Sequence, residues 1–129
     1  MANKRTTTSR DIVERSFAFA VRTLKMVRAM PRDLAGSALA KQVVRSGTSI
    51  GANIEEAQGA SSKKEFARRM NIARAEARET LYWLRLISVT GLLPQPRLRE
   101  IITEADELVS ILTTIVKRAK ADGPTSTAS

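Results

Sequence analysis

Apolar residues recur at intervals of three and four in four stretches of this chain, and proline or glycine lies between one stretch and the next. This spacing puts the apolar side chains on one face of an α-helix, and that face must be buried against other helices. No stretch has the alternation that is typical of a β-strand. The sequence predicts an all-α fold, an antiparallel up-down four-helix bundle, with helices over about residues 11–30, 37–59, 62–90 and 96–120.

Signals for helix termini support these boundaries. Asp11 with Glu14, and Ser62 with Glu65, have the spacing of a capping box, in which the two side chains bond backbone N–H groups at the start of a helix. Gly59 is typical of a residue that ends a helix. Together these signals indicate short turns between long helices.

The two ends of the chain differ from its middle. The N-terminal residues are basic and rich in Thr and Ser, and the C-terminal residues are small and polar with a Gly-Pro pair. We predict a flexible basic tail over 1–10, one bundle over 11–120 and a disordered tail over 121–129. No apolar run approaches the ~20 residues that a membrane-spanning helix needs, and no signal peptide is evident. We therefore expect a cytoplasmic protein.

The chain contains neither histidine nor cysteine. This excludes nucleophilic sites that use His or Cys, zinc sites of the Cys/His type, histidine-ligated haem and disulfide chemistry. Glu76 with Glu79, and Glu55 with Glu56, could still be metal or acid pairs, although di-metal bundles normally add histidine. We expect no enzymatic activity, no metal and no cofactor; a metal-dependent hydrolase using Glu76 and Glu79 is the remote alternative.

Positive charge is concentrated in two parts of the sequence. The net charge is +9, and it falls in residues 1–30, with seven basic and two acidic groups, and in residues 61–90, with seven and three. A row of cations on one helix face can bind phosphates without reading sequence. A merely solvated face and an acidic protein partner are the alternatives. The candidate nucleic-acid-binding residues are Lys64, Arg74, Arg78, Arg85, Arg15, Arg22 and Lys25.

Two helices carry more apolar residues than one bundle face requires. In the first helix, the stripe predicted to pack into the bundle is Val13, Phe17, Ala20, Leu24 and Val27. Further stripes lie beside the packing faces of the first and third helices. Because monomers rarely expose large apolar patches, we expect these further stripes to contact other subunits. The predicted oligomer-interface residues are Ile12, Phe19, Met26, Ile72, Trp83 and Leu86.

The second helix contains two glycines in its interior. Gly47 and Gly51 each cost ~1 kcal/mol relative to Ala, and their spacing of four puts them on one face. Close approach of another helix would offset this cost; a ligand-binding notch is the alternative. Asn53 belongs to a neighbouring polar stripe that can hydrogen-bond across helices. We assign Gly47, Gly51 and Asn53 to helix packing.

Helices two and three are joined by a turn near residue 60, which predicts an α-hairpin. Antiparallel pairing about this turn puts Ile50 of the second helix opposite Met70 of the third, so that an apolar residue faces an apolar residue. The same register puts Arg45 opposite residue 75, within reach of Glu76 or Glu79. An interhelical ion pair is therefore preferred to a catalytic role for these carboxylates.

Two segments resemble the four-helix-bundle protein family associated with intervening sequences of the large-subunit ribosomal RNA gene: RSGTSIGANIEEAQG at residues 45–59 and AEARETLYWL at residues 75–84. The resemblance implies an up-down bundle that assembles into a homo-oligomeric, pentameric barrel. The family is similar in fold to the accessory variability proteins of diversity-generating retroelements. Those proteins are basic pentamers that bind nucleic acid and a reverse transcriptase.

These observations predict a non-enzymatic, homo-oligomeric bundle that binds RNA or DNA through the phosphate backbone. The resemblance extends the prediction to an accessory subunit of a larger nucleic-acid machine, such as a reverse transcriptase. The alternative is an oligomeric protein-interaction scaffold with no nucleic-acid role.

Overall fold

The computed structural model describes residues 9–121, with side chains from residue 11. This part of the chain is all-α, with four helices and no strand, as predicted. No helix in it combines the length and the apolar character that crossing a membrane requires. The predictions for residues 1–8 and 122–129 lie outside the described residues. The helices are α1 (Ser9–Val27), α2 (Leu34–Gln58), α3 (Lys63–Val89) and α4 (Gln95–Ala121).

Each helix packs against the next one in sequence, and α1 also packs against α4. The main contacts of α1 and α3 are thus both with α2 and α4, so α1 and α3 occupy opposite corners of the bundle. Side-chain contacts give the direction of the central pair: Ser46 of α2 meets Thr80 of α3, whereas Asn53 meets Arg69. The two helices of this hairpin therefore run in opposite directions.

The core of α2, α3 and α4 follows the helical pattern of the sequence. In α2 the apolar residues Val43, Ile50 and Ile54 have no exposed surface. Aliphatic side chains from the three helices pack at heptad-like spacing, and their burial takes apolar area out of water. The buried seam residues of α3 and α4 include Met70, Ala73, Ala77, Leu84, Ile87, Leu98, Ala105, Leu108 and Leu112.

The packing face predicted for α1 is only partly right, because Val13 and Val27 pack against the core whereas Phe17 and Leu24 do not. Ile12, Phe19 and Met26, which the sequence assigns to an oligomer interface, are at most 6% exposed and belong to the core of the single chain. Phe17 and Leu24, which the sequence assigns to the core, are 68% and 44% exposed. Relative to the prediction, burial is therefore exchanged between Phe17 and Phe19 and between Leu24 and Met26.

Two buried hydroxyl residues explain this exchange. The stripe of α1 that faces the core also contains Ser16 and Thr23, which interrupt its apolar pattern in the sequence. Ser16 Oγ donates to the carbonyl oxygen of Val13 at 3.0 Å, and Thr23 Oγ1 donates to that of Phe19 at 2.9 Å. Because each hydroxyl is satisfied within its own helix, it can be buried without the penalty of an unpaired polar group.

The predicted start of α2 near Ser37 is too late. Asp33 is the N-cap, and its Oδ1 accepts a hydrogen bond from the backbone N–H of Gly36 at 2.8 Å. Gly36 lies in the first turn of the helix, where a Cβ atom would collide with the backbone carbonyl of Pro31. This glycine therefore permits a close chain approach and does not mark the boundary that its residue type suggests.

The start of α3 is confirmed at Ser62, whose Oγ accepts a hydrogen bond from the backbone N–H of Glu65 at 3.0 Å. At the other end, Gly91 adopts a φ of 73°, a conformation that glycine reaches without strain. The N–H of Leu92 then donates to the Ile87 carbonyl at 3.2 Å. This bond satisfies a terminal carbonyl and turns the chain towards α4.

Candidate nucleic-acid interface

The side of α3 that faces away from the bundle is basic. Arg78 and Arg85 are exposed two turns apart, about 10 Å along the helix axis, and Lys64 is exposed on the same side nearer the N-terminus. None of these three cations forms an ion pair with any residue that the structure describes. The fourth candidate, Arg74, is half-buried and donates from Nε to Asn71 Oδ1 at 2.9 Å. We define the outer face of α3 as Lys64, Ala75, Arg78, Tyr82, Arg85 and Val89.

Two carboxylates of α3 are bound by a single arginine of α2. Arg45 forms ion pairs with Glu76, at 3.4 Å, and with Glu79. The interhelical ion pair predicted from the hairpin register is therefore confirmed. The described residues contain no group of three or more acidic side chains that could hold a metal ion. Glu76 and Glu79 thus act on α2 and leave the cations of the outer face unpaired.

The remaining carboxylate of α3 is bound within its own helix. Glu65 accepts hydrogen bonds from Arg68 at 2.9 Å and from Arg69 Nε at 3.2 Å. The hydrogen bond from Arg68 is the main reason that the pKa of Glu65 lies below its ordinary value. With all three acidic residues of α3 partnered in this way, none competes with a phosphate for Lys64, Arg78 or Arg85.

An exposed aromatic residue interrupts the cations. Tyr82 follows Arg78 by four residues and precedes Arg85 by three, so helical geometry puts its ring between them on the same face. Its side chain is 56% exposed. The sequence shows the spacing, but it does not show that Trp83 turns inwards while Tyr82 turns out.

The candidate cations of α1 face α4 and have acidic partners there. Arg15 donates to Glu104 at 2.7 and 3.0 Å and to Glu107 at 2.7 Å. The hydrogen bond to Glu104 is the main cause that raises the pKa of Arg15 above its ordinary value. Arg22 makes a longer contact of 3.5 Å with Glu100. These ion pairs use the charge of α1 to hold α1 on α4.

The third α1 candidate, Lys25, is exposed near the junction of α1 and α4. Together with Arg22 and Arg97 it lines a shallow depression over Met26 and Ile101. The seven predicted cations therefore do not form one surface in a single chain. Four lie on α3, and three lie on the opposite corner of the bundle.

The two interior glycines of α2 lie against α1. A Cβ atom at Gly47 would lie 3.1 Å from Thr23 Cγ2, and one at Gly51 would lie 3.2 Å from Ser16 Oγ. These distances leave too little room for a side chain without movement of α1. The close approach between helices is thus present, and the buried hydroxyls of α1 are the groups that occupy it.

Asn53 lies on the side of α2 that faces α3. Its Nδ2 donates to the Ser49 carbonyl at 3.0 Å, and its Oδ1 accepts a hydrogen bond from Arg69 at 3.3 Å. About two turns of α2 away, Thr80 Oγ1 and Ser46 Oγ are 2.8 Å apart and fully buried. Polar contacts therefore join α2 to α3, whereas close packing joins α2 to α1.

The apolar residues predicted for oligomer contacts on α3 are half-buried. Trp83 packs against the core and donates from Nε1 to Glu79 Oε2 at 3.0 Å, while Ile72 and Leu86 are partly accessible. On α1 the accessible apolar side is instead the one that contains Phe17 and Leu24. We define the outer face of α1 as Phe17 and Leu24, its two exposed large apolar residues.

A family model described as 23S rRNA-intervening sequence protein matches residues 8–114. The chain belongs to this family. A solved structure from Bacteroides thetaiotaomicron, described as a protein of unknown function from the S23 ribosomal protein family, is 36% identical to the chain. The match covers 84% of this chain and 97% of the other, with a TM-score of 0.78. No curated protein matches the chain.

The two segments that carry the family resemblance contact each other in the structure. Arg45 and Ser46 of the first segment bind Glu76, Glu79 and Thr80 of the second. Such contacts between α2 and α3 fix the central hairpin. In this family member the recognisable sequence therefore describes how the bundle is held together, and the basic outer face of α3 lies on the other side of the same helix.

Proposed function

We propose that this protein is a non-enzymatic nucleic-acid-binding protein whose outer face of α3 contacts the phosphate backbone of RNA or DNA. The observation that carries the proposal is the state of its cations. Lys64, Arg78 and Arg85 are exposed, lie on one side of a helix and have no ion pair among the described residues. The description of the family, which refers to an intervening sequence of 23S rRNA, also favours RNA.

The chemistry of these side chains suits a backbone ligand. A guanidinium can donate two parallel hydrogen bonds to phosphate oxygens, and an ammonium contributes a point charge. Cations that are bound to phosphate oxygens in this way make no contact with the base edges, which carry the sequence information. Binding through this face is therefore expected to depend on salt and to be insensitive to sequence.

We further propose that the chain forms an up-down bundle in a cytoplasmic homo-oligomer, with the pentamer as the state that the resemblance implies. The outer face of α1 supports self-association because Phe17 and Leu24 expose apolar surface that water disfavours. Ile72, Trp83 and Leu86 remain candidates for the same role. Several copies of a weak phosphate site would bind one long strand more tightly than a single copy does. In this role the assembly would serve as an accessory to a larger machine such as a reverse transcriptase.

The test replaces three cations of the outer face together. The variant Lys64→Gln, Arg78→Gln, Arg85→Gln should bind generic RNA more weakly and should lower the slope of log affinity against log salt by roughly two to three units per subunit engaged. Fluorescence anisotropy across salt concentrations measures both quantities. Circular dichroism should be unchanged, because the three side chains make no ion pair with the described residues.

A matched control removes the same charge elsewhere. Lys41, Arg99 and Lys117 are exposed on α2 and α4, and they also have no ion pair with the described residues. Their triple replacement by Gln should leave most of the slope in place. An equal loss of slope in both variants would assign binding to the overall charge of the protein. Absence of RNA binding by the parent at physiological salt would overturn the proposed function.

The second candidate function is an oligomeric scaffold for protein interactions. The observation in its favour is the outer face of α1, where the Phe17 ring is 68% exposed. A scaffold predicts no RNA or DNA binding at physiological salt and no effect of the triple α3 variant. The same anisotropy titration therefore separates the two functions.

A further inference from the structure

Tyr82 is an aromatic side chain among cations, and its ring contact in the described part of the chain is with Trp83. More than half of its surface is exposed, and its hydroxyl makes no hydrogen bond with the residues that the structure describes. Arg78 and Arg85, one turn away on either side, are exposed and unpaired within the same range. An aromatic ring with a guanidinium on each side is a combination that binds planar, negatively charged ligands.

The ring of Tyr82 is supported from the bundle side. Its centroid lies 5.1 Å from that of Trp83, and the two planes meet at 67°, an edge-to-face contact. Trp83 is itself held by the hydrogen bond from Nε1 to Glu79 Oε2, and Glu79 binds Arg45 of α2. Contacts that reach to the neighbouring helix thus restrict the aromatic pair. A side chain that is already restricted loses little conformational entropy when it binds a ligand.

We propose that Tyr82 stacks on an unpaired base while Arg78 and Arg85 bind the phosphates on either side of it, so that the protein selects single-stranded over double-stranded nucleic acid. This inference rests on the proposed function and adds the class of ligand to it. The ligand chemistry is a single-stranded polynucleotide, and RNA and DNA both provide it.

The preference for a single strand follows from which parts of a nucleic acid an aromatic side chain can reach. In a duplex the faces of the bases are covered by their neighbours, so an aromatic side chain on a helix surface can reach only the backbone and the grooves. In a single strand the bases can be splayed out and stacked on aromatic side chains, with little preference for sequence. Arg78 and Arg85 serve either ligand, whereas Tyr82 contributes only to the single strand.

The surroundings of Tyr82 favour a nucleic acid over a protein. Its outward neighbours on the helix are two unpaired arginines, with Ala75 and Val89 two turns away on either side, so a protein that covered the ring would have to supply partners for both charges. A polyanion supplies a partner at every nucleotide. A protein contact at Tyr82 is kept as an outcome of the test.

The experiment compares Tyr82→Ala with the parent on two ligands of one sequence, a 12-nucleotide RNA strand and the duplex with its complement. The parent should bind the single strand more tightly. Tyr82→Ala should lose about tenfold in affinity for the single strand, as expected for one base-aromatic stack, and little for the duplex. Tyr82→Phe keeps the ring and should restore single-strand binding. A DNA strand of the same sequence shows whether the sugar matters.

Leu34 supplies the control variant. It is 89% exposed at the start of α2, outside the outer face of α3. Leu34→Ala should leave both affinities unchanged. Light scattering on each variant shows whether the oligomeric state is preserved.

The single tryptophan of the chain gives a second readout. Because Trp83 contacts Tyr82 edge-to-face, a base that stacks on Tyr82 should change the fluorescence of Trp83. Single-stranded RNA should produce this change, and the duplex should produce much less. The change should be reduced in Tyr82→Ala.

The outcomes separate this inference from the function on which it rests. No binding of either ligand by the parent overturns the proposed function. Equal binding of strand and duplex, with Tyr82→Ala like the parent, overturns the inference and leaves phosphate binding in place. A change of oligomeric state in Tyr82→Ala, with unchanged affinity per subunit, assigns the ring to a protein contact and also overturns the inference.

Discussion

α1 and α3 occupy opposite corners of the bundle, and both belong to parts of the sequence with excess positive charge, yet their surfaces differ. The described cations of α1 that face α4 are paired with Glu100, Glu104 and Glu107, and the outer face of α1 is apolar. The cations on the outer face of α3 have no ion pair in the described part of the chain, and an aromatic ring lies among them. Excess positive charge therefore leads to one helix that is held by its charges and another that presents them.

The neighbouring helices determine whether the cations of α1 and α3 are paired within the bundle or remain unpaired. α4 presents a ladder of carboxylates to α1, spaced by three and four residues so that they share a face. α2 presents an arginine to α3 and so binds Glu76 and Glu79, and the cations on the outer face of α3 have no ion pair in the described part of the chain. The charge that a helix can offer to a ligand thus depends on its partners in the bundle as much as on its own sequence.

The largest expected effect tests which side of α1 is buried. Phe19→Ala should lower the free energy of unfolding by about 3–5 kcal/mol, because the ring is 1% exposed and its loss leaves a cavity. Phe17→Ala, two residues away, should change it by less than about 0.5 kcal/mol in the monomeric state, because that ring is 68% exposed. Urea titration measures both. Similar losses for the two variants would mean that α1 is not packed as described.

A smaller effect tests how closely α1 approaches α2. Gly51→Leu should destabilise the protein by about 1–3 kcal/mol, since the new side chain would push against Ser16. Ala52→Leu adds a similar volume at the next position, which is exposed, and serves as the control. Thermal unfolding of the two variants should differ clearly. Matching melting temperatures would show that α1 can move away from Gly51 without cost.

The smallest effect compares one arginine from each corner. Arg15→Gln should cost about 1 kcal/mol of stability, because it leaves partly buried Glu104 without its cation, and it should not change the salt slope of RNA binding. Arg78→Gln should do the reverse, with unchanged stability and a slope lowered by about 0.7–0.9 units per subunit. Denaturant titration and anisotropy on the same two proteins check this. A slope that falls equally in both would place α1 in the interface as well.

The sequence predicts the hairpin of α2 and α3 well, because a short turn between two strongly periodic helices sets their register. That register led correctly to the contacts of Arg45 with Glu76 and Glu79. The pairing of Arg15 with Glu104 could not be found in the same way, since the two residues lie 89 positions apart and no turn relates α1 to α4 directly. The exposed ring of Tyr82 was also beyond the sequence, because the rotation of α3 decides whether it or Trp83 faces outwards.

The buried face of α1 could not be predicted from apolar periodicity for a different reason. Apolar periodicity favours the stripe without hydroxyl residues, and the structure buries the stripe that contains Ser16 and Thr23. A count of apolar residues does not take into account that a hydroxyl can donate to the carbonyl three or four residues before it and can therefore be buried in a core. The sequence feature that indicates the buried face of α1 is the pair of glycines in α2, because a helix that approaches them closely must have small residues opposite them.

The contact of Ser16 and Thr23 with the α2 glycines also selects one rotational state of α1. Its two apolar stripes are about 100° apart, and a turn of the helix by that angle would place Phe17 where Ser16 lies and would remove Phe19 from the core. Only the stripe with two small side chains fits against Gly51 and Gly47. The glycines therefore permit a single orientation of α1. A chain with bulky residues at 16 and 23 and alanines at 17 and 24 would be expected to fold with α1 rotated and with Phe19 on its surface.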